Sequence, residues 1–385
     1  MTTCCDVAVV GAGLIGASCA YQLASRRQVV LLEQESQPGY HSSGRSAAVL
    51  LPAYGGPVAC ALTAASAGFL NQPPEGFSHS PLTAPRGALV VANAEQLPQL
   101  EQWRTSFLAQ SSTVVPLGTA AAVQRVPILE SSSIAAALLL PDVRDIDAAA
   151  LLQGYLKSFR ADGGTLLLDT AVRGMERRGD WWHLTTSSGE LRARTIVNAA
   201  GAWADDLAEM AGLRRKGLMP TRRTMVVVDA PAAMDVRAWP LVVDAAETFY
   251  FKPDAGRLVV CPADQAPADA QDIQPDEWDV AVAIDRIEAA TSLRVRRVAH
   301  RWAGLRTFTP DHQPLIGADP DQPDFIWAAG FGGFGVQTSH AAGRCCAAAV
   351  LGESVPALFA KAGIHLEQLS PRRLTTADGA TAWSA

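Results

Sequence analysis

The chain has 385 residues, 49% of them hydrophobic and 18% charged, which is long enough for two cores and too apolar for a disordered protein. Its 32 Lys and Arg against 38 Asp and Glu leave a net charge of −6 with no dense basic tract, which excludes nucleic acid and anionic membrane as main partners. The longest apolar stretches, such as residues 134–140, fall far short of the roughly 18 residues of a membrane span.

The N-terminus enters a strand at residues 6–10 without a basic segment followed by an apolar one, so a cytoplasmic location is expected. A glycine turn, a helix to about residue 25 and a strand at 28–32 complete one βαβ unit. Residues 40–56, rich in Gly, Ser and Tyr, read as a functional loop, and a break follows at 72–76. Strands at 86–93 and 221–228, and two more within 247–261 around the turn Pro253-Asp-Ala-Gly256, point to an antiparallel sheet. Between them, residues 143–160 have helical spacing, and strands at 165–169, 182–186 and 195–198 return the chain to the first domain. Residues 262–275 form a polar loop and 278–292 a helix. A strand at 325–328, a turn at 330–335 and a helix at 337–351 close the pattern.

The expected fold is therefore α/β plus α+β, with a Rossmann-like dinucleotide domain and a substrate-binding domain built on an antiparallel sheet. The first takes residues 1–80, 141–215 and 300–385, and the second 81–140 and 216–299. The seven cysteines, at 4, 5, 19, 60, 261, 345 and 346, lack the two-residue gap typical of zinc sites and are read as reduced thiols, so no metal is expected.

Gly11-Ala-Gly-Leu-Ile-Gly16 follows a strand and opens a helix, the setting that makes this pattern informative. Gly11 permits the tight turn, Gly13 admits a pyrophosphate to the backbone and Gly16 allows close helix packing, while Leu14 and Ile15 carry the first free amides. Glu33, followed by Gln34, ends the second strand, where a carboxylate accepts hydrogen bonds from ribose hydroxyls. The pattern alone does not separate FAD from NAD. Two later glycine blocks favour FAD. Thr195-Ile-Val-Asn-Ala-Ala-Gly-Ala-Trp203 places Ala200, Gly201 and Trp203 at a second strand end. Gly330-Phe-Gly-Gly-Phe-Gly-Val-Gln-Thr338 places Gly332, Gly335, Val336, Gln337 and Thr338 at the start of the last long helix, whose positive end would stabilise an anionic reduced ring. Either block alone would equally suit an ordinary strand-to-helix turn.

Together with Gln37-Pro-Gly-Tyr-His-Ser-Ser-Gly-Arg-Ser-Ala-Ala48, Lys252-Pro-Asp-Ala-Gly256 and Trp302-Ala-Gly-Leu-Arg-Thr-Phe308, these motifs occur in one order from about Asp6 to Leu374. In that order the chain resembles the FAD-dependent D-amino-acid oxidase and dehydrogenase superfamily, most of all its bacterial D-arginine dehydrogenases. The resemblance implies that Ser42, Gly44, Arg45, Ser46, Ala47 and Ala48 lie along the isoalloxazine, that Gly304, Leu305 and residues 332–338 surround the flavin, and that Val172 meets the adenine. Members with covalent flavin use a cysteine after the Gly-Leu-Arg element. Here the chain reads Thr307-Phe-Thr-Pro-Asp-His-Gln-Pro-Leu315, so non-covalent FAD is expected, with oxygen or a quinone-type acceptor reoxidising it.

The resemblance also implies a carboxylate clamp of Arg223 and Arg306, because a planar guanidinium holds a carboxylate through two parallel bonds. Neighbours Arg222 and Arg223 point to opposite faces of a strand, so only one lines the pocket. Tyr54 and Tyr250 match tyrosines that cover the substrate, and Leu241, Val243 and Gly333 match positions around its side chain and amine. No Asp, Glu or His in these motifs stands out as a general base, and His41 and His340 read as packed. The neutral amine is therefore expected to react, passing hydride from Cα to N5 and leaving an imine that hydrolyses to a 2-oxo acid and ammonia. Where the D-arginine enzymes carry a glutamate this chain has Ala88, and where they carry a histidine and a threonine it has Val49 and Leu51. The wall is expected to be apolar throughout and the substrate a hydrophobic D-amino acid. A secondary-amine or glycine (sarcosine-type) oxidase and a non-catalytic flavoprotein are the alternatives.

Overall fold

A computed structural model describes residues 3–232 and 234–374; Met1 and Thr2 at the expected strand entrance, and residues 375–385 of the expected cofactor domain, lie outside the described residues. The strand Thr3–Val10 is buried on both faces from Val7 to Val10, as a central parallel strand must be. It pairs in parallel with Val29–Leu32 on one side and Gly189–Asn198 on the other. Across this sheet the order runs Val172–Arg178, Trp181–Thr186, Gly189–Asn198, Thr3–Val10, Val29–Leu32 and Thr165–Leu167; Phe325–Ala329 and Leu315–Ala318 bring it to eight strands. The helices Leu14–Ala24, Ala148–Ala161 and Gly335–Leu351 pack against it in one apolar core that includes Leu23, Leu31, Leu156, Val197, Ala342 and Cys346. Gly343 lets two of these helices meet closely, since a Cβ there would stand 2.2 Å from Ser18 Oγ.

The second sheet has nine strands, in the order Phe331–Gly332, Val298–Phe308, Met219–Asp229, Arg257–Cys261, Tyr250–Asp254, Leu241–Asp244, Ala88–Ala92, Ala136–Leu140 and Val115–Leu117. One face buries Val226, Val242, Phe251 and Leu258 against Val280, Ala283 and Ile287 of the helix Glu277–Ala290. By the two-residue alternation of a strand, the other face carries Arg223, Met225, Cys261, Tyr250 and Val243.

Two expectations need correction. The helix read over 143–160 begins at Ala148, because Asp147 caps it by accepting from the Ala150 amide at 2.8 Å. Arg144–Ile146 is instead a strand between Val49–Leu50 and Thr83–Pro85, a small sheet the sequence did not announce. Residues 300–308, expected with the cofactor domain, lie in Val298–Phe308, which pairs with Met219–Asp229 along nearly its whole length.

Candidate active site

At the end of Thr3–Val10 the chain turns at Gly11, whose φ is +101° and where a Cβ would stand 2.5 Å from the Ala199 carbonyl oxygen. The helix then starts at Leu14, whose amide donates to Ser43 Oγ at 2.9 Å. A Cβ at Gly13 would approach only that hydroxyl, at 3.1 Å, so the backbone is open to a ligand there. The buried Glu33 carboxylate accepts from the Ala12 amide at 2.8 Å and the Glu35 amide at 3.1 Å. Burial pushes its pKa up, more than these two bonds lower it.

A cavity of about 450 Å³ joins this turn to the open face of the nine-stranded sheet. Of the expected cofactor residues, Gly11, Gly13, Leu14, Ile15, Glu33, Gln34, Ser42, Arg45, Ser46, Ala47, Ala48, Val172, Ala200, Gly201, Trp203, Gly304, Gly332, Gly335, Val336 and Gln337 line it. Three do not. Gly16 packs the helix, since a Cβ there would fall 1.8 Å from the Gly11 carbonyl oxygen. Gly44 closes its loop by donating from its amide to the Gly39 carbonyl at 2.8 Å, and Thr338 is buried with its hydroxyl on the Phe334 carbonyl at 2.9 Å. Gln337 Oε1 accepts from the Leu51 amide, while its buried Nε2 has no partner. A long cavity walled by open glycine backbone, with an unpaired donor on its lining, fits a dinucleotide carrying a polar ring.

Arg223 and Arg306 also line this cavity. Strand register explains why. Arg306 lies opposite Thr221, and Arg223 lies opposite Gly304, so both guanidinium-bearing residues occupy one face of adjacent strands. Arg223 is only 7% exposed, and its Nε is buried without a partner. A buried cationic donor without a partner is costly, and a carboxylate would relieve it. Arg222 faces the other way and pairs with Asp279 at 2.7 Å, with Asp276 and Asp264 at 3.6 and 3.8 Å.

Tyr54 stacks on Trp103, with ring centroids 5.7 Å apart, and donates to Glu247 Oε2 at 2.6 Å. Tyr250 donates to Met225 Sδ at 3.5 Å. Burial pushes both phenols far up, with Glu247 adding to the shift at Tyr54, so neither ionises near neutral pH. Val49, Leu51, Leu241, Val243 and Gly333 line the cavity beside them. Ala88 does not. It sits fully buried beside Leu241 in the parallel register, within the apolar cluster behind the wall.

The wall is not apolar throughout, because Glu247 lines it. Nothing in its sequence context marks that residue, which stands in a turn at φ +56°. Trp103, on the helix Leu97–Ala109, shares its buried face with Leu100 and Phe107, so its spacing reads as core packing. Gln265 comes from the polar loop, which the sequence leaves without a site. His41 lies 2.9 Å from Glu35, and His340 stacks on Phe69 at 3.9 Å between ring centroids, its pKa pulled down to about 4 by burial. Among the described residues no group of three or more His, Cys, Asp and Glu is placed to hold a metal ion, and no helix is long and apolar enough to cross a membrane.

Known proteins resemble this chain in sequence and fold. Glycine oxidase of Geobacillus kaustophilus is 25% identical over 341 residues, covering 86% of this chain and 88% of its own. Its crystal structure superposes with a TM-score of 0.82 at 24% identity, over 98% of this chain and 100% of that one. Hydrogen cyanide synthase subunit HcnC of Pseudomonas aeruginosa is 27% identical over 209 residues, and human mitochondrial dimethylglycine dehydrogenase 26% over 226. Those alignments each take 54% of this chain but span only 49% and 26% of the two relatives. Residues 6–349 match the family described as FAD dependent oxidoreductase. With that match running from the first strand into the last long helix, and with the glycine turns opening on one shared cavity, the chain belongs to the FAD dependent oxidoreductase family and its cofactor is FAD.

Proposed function

We propose that this protein oxidises the Cα–N bond of a D-amino acid with an apolar side chain, as a dehydrogenase or oxidase of the D-arginine dehydrogenase type. The observation that carries the reading is the pair Arg223 and Arg306 on one sheet face, beside a wall of Leu51, Leu241 and Val243. Gly11, Gly13 and the Ile15 amide would hold the pyrophosphate of FAD, Glu33 the ribose, and Gly304, Gly332 and Gln337 the ring, the Leu14 amide, expected free, being engaged by Ser43. Bound FAD supplies the two-electron oxidant.

The two arginines bind the substrate carboxylate, and the hydroxyls of Tyr54 and Tyr250 lie within the same cavity to orient it. Leu51, Leu241 and Val243 shelter the side chain, which gains about 25 cal/mol for each Å² buried, while Glu247 in the same wall is engaged by Tyr54. Of the carboxylates that line the cavity, Glu33 is held by two amides, Glu247 by Tyr54 and Asp206 by Arg215 at 2.9 Å, so none is placed as a free base. The amine therefore gives its proton to solvent before reaction. Loss of a hydride from Cα and of a proton from nitrogen yields the imino acid, which takes up water and releases ammonia to leave the 2-oxo acid. No cysteine lines the cavity among the described residues, which supports non-covalent FAD. The buried thiols of Cys5, Cys19, Cys60, Cys261, Cys345 and Cys346 suit a reducing compartment, and a cytoplasmic location belongs to this reading.

Oxidation of glycine or a secondary amine is the second reading, favoured by the names of the relatives. Anaerobic bleaching of the flavin with paired D- and L-amino acids, D-arginine, glycine and sarcosine separates the two. D-leucine, D-methionine or D-phenylalanine should reduce the flavin far faster than D-arginine, with L-enantiomers almost inert. Faster reduction by glycine or sarcosine would establish the second reading instead, and equal kcat/KM for D-arginine and D-leucine would defeat the apolar-wall argument. Admission of air then distinguishes oxygen from a quinone-type acceptor.

A further inference from the structure

The segment between Arg257–Cys261 and the helix Glu277–Ala290 contains no strand or helix, yet it is tied down along its length. The Arg222 amide donates to the Ala266 carbonyl at 2.8 Å and the Ala268 amide to the Pro220 carbonyl at 3.0 Å, so the segment adds itself to the free edge of Met219–Asp229. Asp264 accepts from the amide and hydroxyl of Thr224, at 2.7 and 2.9 Å. Further on, Ile273 buries itself against Ala202, Ala303 and Leu305, with Trp203 packed on the same cluster. Trp203 and Leu305 line the cofactor cavity on their other side. The segment thus crosses from the nine-stranded sheet to the wall of the cavity.

Its far end meets Arg45, in the loop that also lines the cavity. The Arg45 guanidinium donates to the Ile273 carbonyl at 3.1 Å and the Ala303 carbonyl at 2.9 Å, and pairs with Asp272 at 2.5 Å. Tyr40 donates to the other Asp272 oxygen at 3.2 Å, and the guanidinium lies over its ring at 5.0 Å. One carboxylate therefore fixes the two residues that join the flavin loop, the sheet and the segment. Asp272 is 47% exposed on its side chain, and an isolated pair at that exposure contributes little. Here the pair matters through what it holds shut.

We propose that residues 262–273 form a strap that retains the cofactor, and that Asp272 is its clasp, a positioning residue acting through Arg45 and Tyr40. The strap rests on the non-covalent FAD of the reading above and is independent of the substrate. The test is the rate at which holoenzyme releases FAD on dilution, followed by the rise in flavin fluorescence. Asp272→Asn should release FAD about tenfold faster at low ionic strength, and Asp272→Glu should restore slow release. Wild-type release should accelerate in about 1 M salt, where the Debye length falls to about 3 Å, while the Asn variant stays flat. The KM and kcat of Asp272→Asn at saturating FAD should match wild type, because the clamp at Arg223 and Arg306 is untouched. Glu277→Gln, which breaks the exposed pair with Arg301 just beyond the strap, serves as control and should leave release unchanged. Wild-type release from Asp272→Asn, equal acceleration in Glu277→Gln, or a matching fall in the Tm of the apoprotein would each overturn the strap alone. Flavin that stays with acid-precipitated protein would overturn the strap together with non-covalent binding.

Discussion

Arg222 and Arg223 are adjacent in the chain and have opposite environments, one sharing three aspartates and the other buried toward the cavity with Nε unpaired. Their loss should therefore be read out differently. Arg223→Ala and Arg306→Ala are each expected to lose most activity while keeping FAD, since a charge-assisted pair with a carboxylate contributes roughly 2–5 kcal/mol. Arg222→Ala should leave KM near wild type and lower Tm instead, because it frees acids that hold the helix Glu277–Ala290 to the sheet. Steady-state kinetics beside thermal melts check this; a larger KM effect at Arg222 than at Arg223 would reverse the assignment. That only one of the two can face the cavity was legible in the strand alternation, and the resemblance pointed to Arg223. The aspartate partners were not, because they come from residues 264–279, far along the chain.

At the scale of elements, glycines decide how closely the pieces approach. Gly16 sits where a Cβ would collide with the Gly11 carbonyl oxygen and come within 3.2 Å of Ala199 Cβ. Gly16→Ala should push the helix Leu14–Ala24 off its turn, at a cost of roughly 1–3 kcal/mol for overpacking, and the purified protein should lose its yellow colour. Retention of FAD at wild-type affinity, measured by titration of the apoprotein, would count against this role. The βαβ unit and the turn-to-helix blocks were read correctly because their glycines and apolar runs are local signals. The strand Arg144–Ile146 was missed for the converse reason. Its three residues have too short a pattern to register, and they become a strand only when Val49–Leu50 and Thr83–Pro85 lie on either side.

Across the whole molecule, Lys216 and Asp319 form an ion pair 2.9 Å long with side chains 2% and 1% exposed. Asp319 also accepts from Trp327 Nε1 at 2.9 Å, so the pair pins the approach to Met219–Asp229 against the eight-stranded sheet. Burial works to raise the Asp319 pKa, but the bonds from Lys216, Trp327 and the Asp321 amide outweigh it and leave the carboxyl below its usual range. Its folded-state value thus lies below the unfolded one, so the stabilisation is present at neutral pH and is lost as pH falls through the carboxylate range. Lys216→Met should cost about 3–5 kcal/mol at neutral pH by leaving a buried charge unpaired, and the gap in Tm from wild type should narrow as pH falls through the carboxylate range, because protonating Asp319 relieves that charge. Wild-type melting of that variant at pH 7 would show the pair to be inert.

The amino-acid sequence by itself determined the dinucleotide fold, because that depends on residue type at short spacing, glycines around a strand end and a carboxylate after the next strand, whereas FAD came from the later glycine blocks taken together and the two arginines from the order of motifs that carries the family resemblance. Only the tertiary structure decided that Glu247 enters the cavity, that Ala88 stands behind its wall, and that a loop without secondary structure lines the cavity and is tied to Arg45. Those facts depend on which distant segments share a face, and the chain's local chemistry carries no record of that until the two sheets have packed together.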